Sequence, residues 1–137
     1  MTIRIAASAI VLVLVSFAAT IWWALESFGV ATVETQRPDG SPRQTHVWYV
    51  EPDGELWLEA GSPENGWFRD VLENPALSFH AERRSGRYRA EPLDTEAAHQ
   101  EIRSLIRARY GFRERWVGLL VDTSRSVAVR LAPEEPN

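Results

Sequence analysis

The chain opens with an apolar run that differs from everything after it. No ionisable side chain occurs in residues 5–25, and Trp22 and Trp23 stand near the end of the run. A helix rises about 1.5 Å per residue, so this run is long enough to cross a hydrocarbon core of about 30 Å. Indole rings favour the headgroup layer where a helix leaves the bilayer. The pattern predicts an N-terminal transmembrane helix and a single-pass membrane protein.

A cleaved signal peptide is the alternative interpretation of this run. Small residues that suit a signal peptidase occur at Ser16, Ala18, Gly29 and Ala31. The run is longer than a normal hydrophobic region of a signal peptide, about 7 to 15 residues, which favours an uncleaved anchor. The numbers of arginines on the two sides of the run are nearly equal, so the positive-inside rule does not fix the orientation of the helix in the membrane. We expect the domain outside the cytoplasm.

After the apolar run the pattern becomes one of short alternating segments separated by turn residues. Alternation of apolar and polar positions is typical of half-buried strands. A long helix is predicted with Asp94 or Thr95 as its cap and Gly111 as its end, because its apolar positions follow a 3.6-residue period. These positions are Ala98, Ile102, Leu105, Ile106 and Tyr110. Shorter helices are predicted over residues 67–73 and 112–120. The predicted strands cover residues 31–36, 45–51, 56–58, 76–81, 87–93 and 127–131.

These elements predict a mainly β, α+β domain. Six strands with helices inserted late indicate a closed or split β-barrel, because closure removes exposed sheet edges. We therefore divide the chain into an N-terminal membrane anchor over residues 1–28 and a barrel domain over residues 29–132. The last segment, residues 133–137, is rich in proline and glutamate and is predicted to be disordered.

Composition narrows the functional classes. The chain has no cysteine, and all 15 of its basic residues are arginine, against 19 acidic residues and a net charge of -4. Disulfides, thiolate metal sites and cysteine nucleophiles are excluded, as is Schiff-base chemistry on lysine. A nucleic-acid footprint is disfavoured by the net charge. No GxSxG, GxGxxG, GxxxxGK[ST] or HExxH motif occurs, and the three histidines lack metal-ligand spacing.

Two clusters of charged residues have simple structural interpretations. The arginines of the predicted hairpin near Gly86 are most simply solvated. Arg103 and Arg107 share a helix face with His99 and Glu96, which is the usual pattern of an exposed helix surface. The hairpin arginines are Arg83, Arg84, Arg87 and Arg89.

One long stretch resembles a known family. The order RPDGSPRQTHVWYVEPDGELWLEAGSPENGWFRDVLENPALSF, followed by a basic hairpin and RAEPL, resembles the deazaflavin-dependent nitroreductase and quinone reductase family. That family belongs with the split-barrel flavin-binding proteins that include pyridoxamine phosphate oxidases. The resemblance covers about residues 33 to 131 and implies a six-stranded split barrel, a flavin-type cofactor and a homodimer.

The resemblance also implies a set of cofactor-binding residues. Cofactor phosphate would lie between the turn before the second strand and the loop before the first helix of the barrel domain. Small-residue loops at a helix N-terminus and arginine forks both bind phosphate well. Trp48 or Trp57 would cover the ring system if it faced the groove. The residues so implied are Arg43, Thr45, Trp48, Gly61, Ser62, Asn65, Trp67 and Arg69.

Two functional hypotheses follow. The first is a membrane-anchored oxidoreductase that binds flavin mononucleotide (FMN) or a deazaflavin and transfers hydride to a quinone-like or nitroaromatic acceptor. The second is a non-catalytic ligand-binding domain on the same split-barrel scaffold, since one fold hosts many functions.

Overall fold

The computed structural model describes residues 10–19, 29–120 and 122–134. Residues 10–19 are helical (α1). The strands that follow are β1 (Val30–Gln36), β2 (Pro42–Val50), β3 (Leu56–Ala60), β4 (Ala76–His80), β5 (Ser85–Leu93) and β6 (Val127–Pro133). The helices are α2 (Gly66–Glu73), α3 (Glu96–Tyr110) and α4 (Phe112–Leu120), with a 3-10 turn at Pro52–Gly54. The order of elements agrees with the pattern of the sequence.

The six strands close into an antiparallel barrel in the order β1-β2-β3-β6-β5-β4. β1 pairs with both β2 and β4, so the sheet has no free edge strand. β2 begins at Pro42, three residues before the predicted start. Proline is tolerated at the first residue of a strand because its missing N–H costs no central ladder bond.

Side chains of alternate residues fill the barrel. On β3, Leu56 and Leu58 point inward and are fully buried, whereas Trp57 belongs to a cluster on the outer wall. α2 packs against β1 and β2 and closes one end of the barrel. Trp67 and Val71 of α2, each 2% exposed, extend the interior core. The end of the barrel is therefore covered by a helix.

The outer wall carries α3. Thr95, one of the two predicted caps, accepts a hydrogen bond from the Ala98 N–H and caps the helix. Ile102 and Ile106 are fully buried against the wall, and Tyr110 stacks on Trp48 of β2 at a ring distance of 4.7 Å. The barrel thus has two apolar clusters, one inside and one beneath α3.

The predicted transmembrane helix is wrong for the part of the chain that the structure describes. α1 covers residues 10–19, which is about 15 Å of helix against a hydrocarbon core of about 30 Å. Within residues 10–19, 29–120 and 122–134, no helix has both the length and the hydrophobicity to cross a membrane. A charge-free run indicates a membrane span only if one helix continues through all of it. Residues 5–9 and 20–25 of the run lie outside the described residues.

The predicted domain boundaries fall partly outside the described residues as well. Residues 1–9, 20–28 and 135–137 belong to the predicted anchor and tail and are not described. At the C-terminal boundary, β6 continues to Pro133. Glu134 then pairs with Arg87 of β5 at 3.0 Å.

Candidate functional site

Arg43 lies at the end of the barrel that α2 closes. It occupies an inward-facing position of β2, and its Nε donates to Oδ2 of Asp70 on α2 at 2.8 Å. The Thr35 hydroxyl donates to the same carboxylate oxygen at 2.7 Å. Asp70 is 3% exposed and the Arg43 side chain 32% exposed. The carboxylate therefore holds Arg43 from the protein side, while part of the guanidinium remains accessible.

Gly66, the first residue of α2, provides the space for this guanidinium. A Cβ at this position would lie 2.5 Å from Nη1 of Arg43 and 2.7 Å from its Cζ. Asn65 precedes the helix, and its side chain makes no capping hydrogen bond. The first N–H groups of a helix have no intrahelical partner, and they carry the positive end of the helix dipole. An arginine fork thus lies against an uncapped helix N-terminus; we call Arg43 and the backbone of residues 65–67 the α2 anion site.

The loop before α2 carries its own carboxylate. The Ser62 hydroxyl donates to Glu64, and Arg125 from the segment before β6 pairs with the same carboxylate at 2.9 Å. The hydrogen bond from Ser62 lowers the pKa of Glu64, and the Arg125 charge lowers it further. Glu64 is therefore an ionised, exposed group whose charge is partly offset by Arg125.

The structure brings some of the predicted site residues together and separates others. Arg43 and Thr45 share the inward face of β2, and the loop residues Gly61, Ser62 and Asn65 lead into α2. Trp48 lies on the opposite face of β2, because strand side chains alternate and the two positions differ by five.

The remaining predicted residues have other surroundings. Trp67 is buried in the core, in edge contact with Phe68. Arg69 is exposed on α2, and its backbone N–H bonds to the Asn65 carbonyl. Trp57 lies on the outer wall, where its indole N–H donates to Glu55 at 3.1 Å. Among the described residues, the hydrogen bond and ion pair of Arg43 are with Asp70 rather than with any of these three side chains.

Three residues of the site were not predicted from the sequence. Asp70 interrupts the apolar face formed by Trp67 and Val71, and an acid among buried helix positions is a signal for a buried partner. Thr35 continues the inward series of β1 and offered no comparable signal. Arg125 reaches Glu64 across 61 positions of the chain, and no local pattern indicates such a contact.

Comparison with known proteins identifies the architecture. No family model and no curated protein sequence matches the chain. The conserved hypothetical protein Rv2991 from Mycobacterium tuberculosis is 24% identical, with a TM-score of 0.62 over 85% of this chain and 80% of that one. A protein named F420 Reductase is 17% identical, with a TM-score of 0.55 over 81% of this chain and 90% of that one. A FAD-binding protein from Mesorhizobium loti is 19% identical, with a TM-score of 0.58 over 81% of this chain and 85% of that one.

The chain has the split-barrel fold. The resemblance stated from the sequence is confirmed at this level, since the similar structures include reductase and flavin-binding split barrels. Identities this low establish the fold alone. What the chain binds has to be argued from its own residues.

The α2 anion site fits a phosphate group. Arg43 offers a planar fork, and only its Nε is engaged by a described residue. The backbone N–H groups at the start of α2 add donors, and Gly66 keeps the approach open. Donors of these two kinds are the usual elements of phosphate sites.

Proposed function

We propose that this protein binds a flavin-type cofactor, FMN or a deazaflavin, with the cofactor phosphate at the α2 anion site. The observation that carries the proposal is the position of the Arg43 guanidinium against Gly66 at the uncapped start of α2. Buried Asp70 fixes the guanidinium through Nε, which leaves the Nη groups for a ligand. Arginine gives phosphate two parallel hydrogen bonds, an arrangement that lysine does not reproduce.

The proposed activity is that of an oxidoreductase. The similar structures include one named F420 Reductase and one named FAD-binding protein, which supports a flavin-type cofactor over other phosphates. A bound flavin or deazaflavin would supply hydride transfer. The family resemblance supports a quinone-like or nitroaromatic acceptor.

Residues of this chain would bind and orient the cofactor. Asp70 holds Arg43 in place, and Thr35 holds Asp70, so the donor that meets the phosphate is fixed before the ligand arrives. A fixed donor loses little conformational entropy on binding. Asn65 and Gly66 contribute backbone rather than side-chain chemistry.

A non-catalytic ligand-binding domain is the second candidate function. The observation that favours it is Glu64, which engages the Ser62 hydroxyl and Arg125 in the loop where phosphate donors are expected. A carboxylate beside an incoming phosphate disfavours binding by like-charge repulsion. If this effect dominates, the barrel retains its shape without retaining the cofactor.

Two measurements on the purified full-length protein separate these functions. Absorbance and fluorescence titrations with FMN and with a deazaflavin measure binding. Turnover of the reduced cofactor with menadione and with a nitroaromatic compound then measures catalysis. Saturable binding with turnover supports the oxidoreductase, and binding without turnover keeps the cofactor site but rejects this activity. Absence of saturable binding to either cofactor rejects the flavin proposal and leaves the second candidate.

Glu64→Gln tests, in the same titration, whether the Glu64 carboxylate repels the cofactor phosphate. The substitution removes the loop carboxylate and keeps its size, so cofactor affinity is expected to stay unchanged or rise. A loss of affinity would show that Glu64 supports the site instead of opposing it.

A further inference from the structure

A groove of about 510 Å³ lies along α3, and its other wall is formed by Gly118 of α4 together with Asp122, Thr123 and Ser124. Ligand pockets usually have volumes of about 300 to 1,000 Å³, so this groove is large enough for a small molecule. Such pockets are mostly apolar, whereas here only Gly118 among the described lining residues lacks a polar side chain. The groove therefore suits a small polar ligand better than a flat aromatic ring.

The floor of the groove is a line of three residues on α3. His99, Arg103 and Arg107 follow one another at intervals of four, which places them on one helix face. The eight-residue separation of the outer two corresponds to about 12 Å along the helix.

Arg103 forms the fixed centre of this floor. It donates through Nη1 to Glu59 of β3 at 2.8 Å and through Nη2 to Glu114 of α4. All three residues are less than 9% exposed. A charged residue on the exposed-looking face of α3 is thus buried, which corrects the interpretation from the sequence. The two carboxylates neutralise Arg103, so it shapes the groove instead of attracting a ligand.

His99 is held from outside the groove. Its Nδ1 lies 2.8 Å from the Ser126 carbonyl oxygen. The Ser126 hydroxyl also lies 3.2 Å from Nδ1. A carbonyl oxygen only accepts hydrogen bonds, so Nδ1 is the donor, and in this tautomer of the neutral imidazole Nε2 is the acceptor. Nε2 has no partner among the described residues. This end of the groove, which also contains Glu96, accepts hydrogen bonds.

Arg107 gives the other end the opposite character. Its side chain is 64% exposed, and its nearest carboxylate contact is a long one, 3.9 Å from Nε to Glu114. At that distance the pair is weak, and most donors of the guanidinium face solvent. The groove therefore has a cationic donor at one end of α3 and hydrogen-bond acceptors at the other.

We propose that this groove is a second ligand site, separate from the α2 anion site, for a small molecule with one anionic group and hydroxyl groups. The phosphate or carboxylate binds Arg107, and a hydroxyl donates to Nε2 of His99. The acids Glu96 and Asp122, which also line the groove, disfavour ligands with a second anionic group. A phosphorylated polyol and a hydroxy acid share the required chemistry.

The test is a titration of the ¹⁵N-labelled full-length protein with glycerol 3-phosphate and with glycerate, followed by NMR. Saturable shifts of the amides of residues 96–107 and 122–124 are expected with at least one of them. Glycerol, which lacks the anion, is expected to bind more weakly. Absence of saturable shifts with both compounds, or shifts confined to residues 65–70, rejects the site.

Variants locate the binding. Arg107→Gln is expected to weaken it about tenfold, the effect of losing one hydrogen bond to a charged group. Arg107 is exposed, so this variant keeps the fold. Arg89→Gln on β5 and Arg43→Gln at the α2 anion site are expected to leave groove binding unchanged. Equal losses in Arg107→Gln and Arg89→Gln would contradict the proposal, because both would then report only a change in net charge.

The contact of the ligand with His99 can be measured separately. Ring ¹⁵N shifts of His99 are expected to show a protonated Nδ1, with Nε2 moving on addition of the hydroxylated ligand. A ring protonated at Nε2, or an Nε2 that does not respond at saturation, would remove His99 from the site.

Discussion

Nε of Arg43 donates to Oδ2 of Asp70 across 2.8 Å, and this contact joins a barrel strand to the helix that closes the barrel end. One carboxylate thus serves both stability and the proposed ligand site. Because Asp70 also accepts from Thr35, its substitution affects β1, β2 and α2 together.

Asp70→Asn is expected to lower the free energy of unfolding by about 1.5 to 3 kcal/mol, the range for hydrogen bonds to charged groups. A fully buried pair costs about 3 to 5 kcal/mol when one partner is removed, but Arg43 is 32% exposed and can regain water. Urea unfolding measures the change. Thr35→Val, which leaves the ion pair intact, is the smaller matched change. An effect of Asp70→Asn no larger than that of Thr35→Val would contradict a central role for the ion pair.

Gly66→Ala tests the space beside the guanidinium. The new Cβ would lie 2.5 Å from Nη1 of Arg43 and would displace the flexible end of that side chain. We expect a small change in stability and a clear loss of affinity for FMN. Gly61→Ala is the control, because a Cβ there meets no atom within 4 Å. If both variants bind alike, Arg43 does not contact the cofactor.

The buried group of Glu59, Arg103 and Glu114 makes a separate prediction about stability. Arg103→Met leaves two carboxylates buried without their partner, so about 3 to 5 kcal/mol of unfolding free energy should be lost. The triple variant with Glu59→Leu and Glu114→Leu removes those charges and is expected to recover most of the loss. Urea unfolding measures the stability of both variants. A triple variant as unstable as Arg103→Met would show that packing, not charge, is the cause.

The buried hydroxyl of Tyr110 is expected to make the free energy of unfolding decrease at alkaline pH. Its hydroxyl accepts from the Tyr49 N–H at 3.2 Å and lies 3.0 Å from the Tyr49 carbonyl. Burial raises the pKa of Tyr110 above its ordinary value near 10. The folded chain therefore holds this proton more tightly than the unfolded chain. The resulting stability is complete below pH 10 and is lost as the pH rises through the folded pKa.

Tyr110→Phe is the control for this pH dependence. It is expected to reduce stability at neutral pH by about 1 to 3 kcal/mol, because polar backbone atoms of Tyr49 lose a buried partner. It should also flatten the alkaline decline measured by thermal unfolding between pH 8 and pH 11. An unchanged decline in the variant would assign the effect to other groups.

The sequence predicts most of the barrel because its signals are local. Alternation marks the strands, and the positions Ala98, Ile102 and Ile106 of α3 are buried as their period indicates. Leu105, predicted on the same face, is only partly buried, since it lies at the edge of the contact with the outer wall. The predicted buried face of α3 is therefore correct along its central line, and Leu105 marks its edge.

The sites depend on contacts between distant segments. Arg103 looks like an exposed residue until Glu59, 44 positions away, is placed beside it. The resemblance implies that Trp48 or Trp57 covers the cofactor ring if it faces the groove, yet strand alternation sets Trp48 on the face opposite Arg43. Trp57 belongs to the cluster on the outer wall. The transmembrane prediction is wrong for the described residues because it counts apolar residues along the chain, whereas the described helix α1 covers only residues 10–19 of that run.

Cofactor binding at the α2 anion site is tested most directly by the affinity of the full-length protein for FMN and for a deazaflavin. The titration compares the unmodified chain with Arg43→Gln and Arg89→Gln. We expect saturable binding of at least one cofactor and a tenfold to hundredfold loss in Arg43→Gln, equivalent to about 1.5 to 3 kcal/mol. Arg89 is a surface arginine on β5, and the Arg89→Gln variant is expected to bind the cofactor like the unmodified chain. Absence of binding, or equal affinity in all three proteins, would contradict the assignment of the α2 anion site to cofactor phosphate.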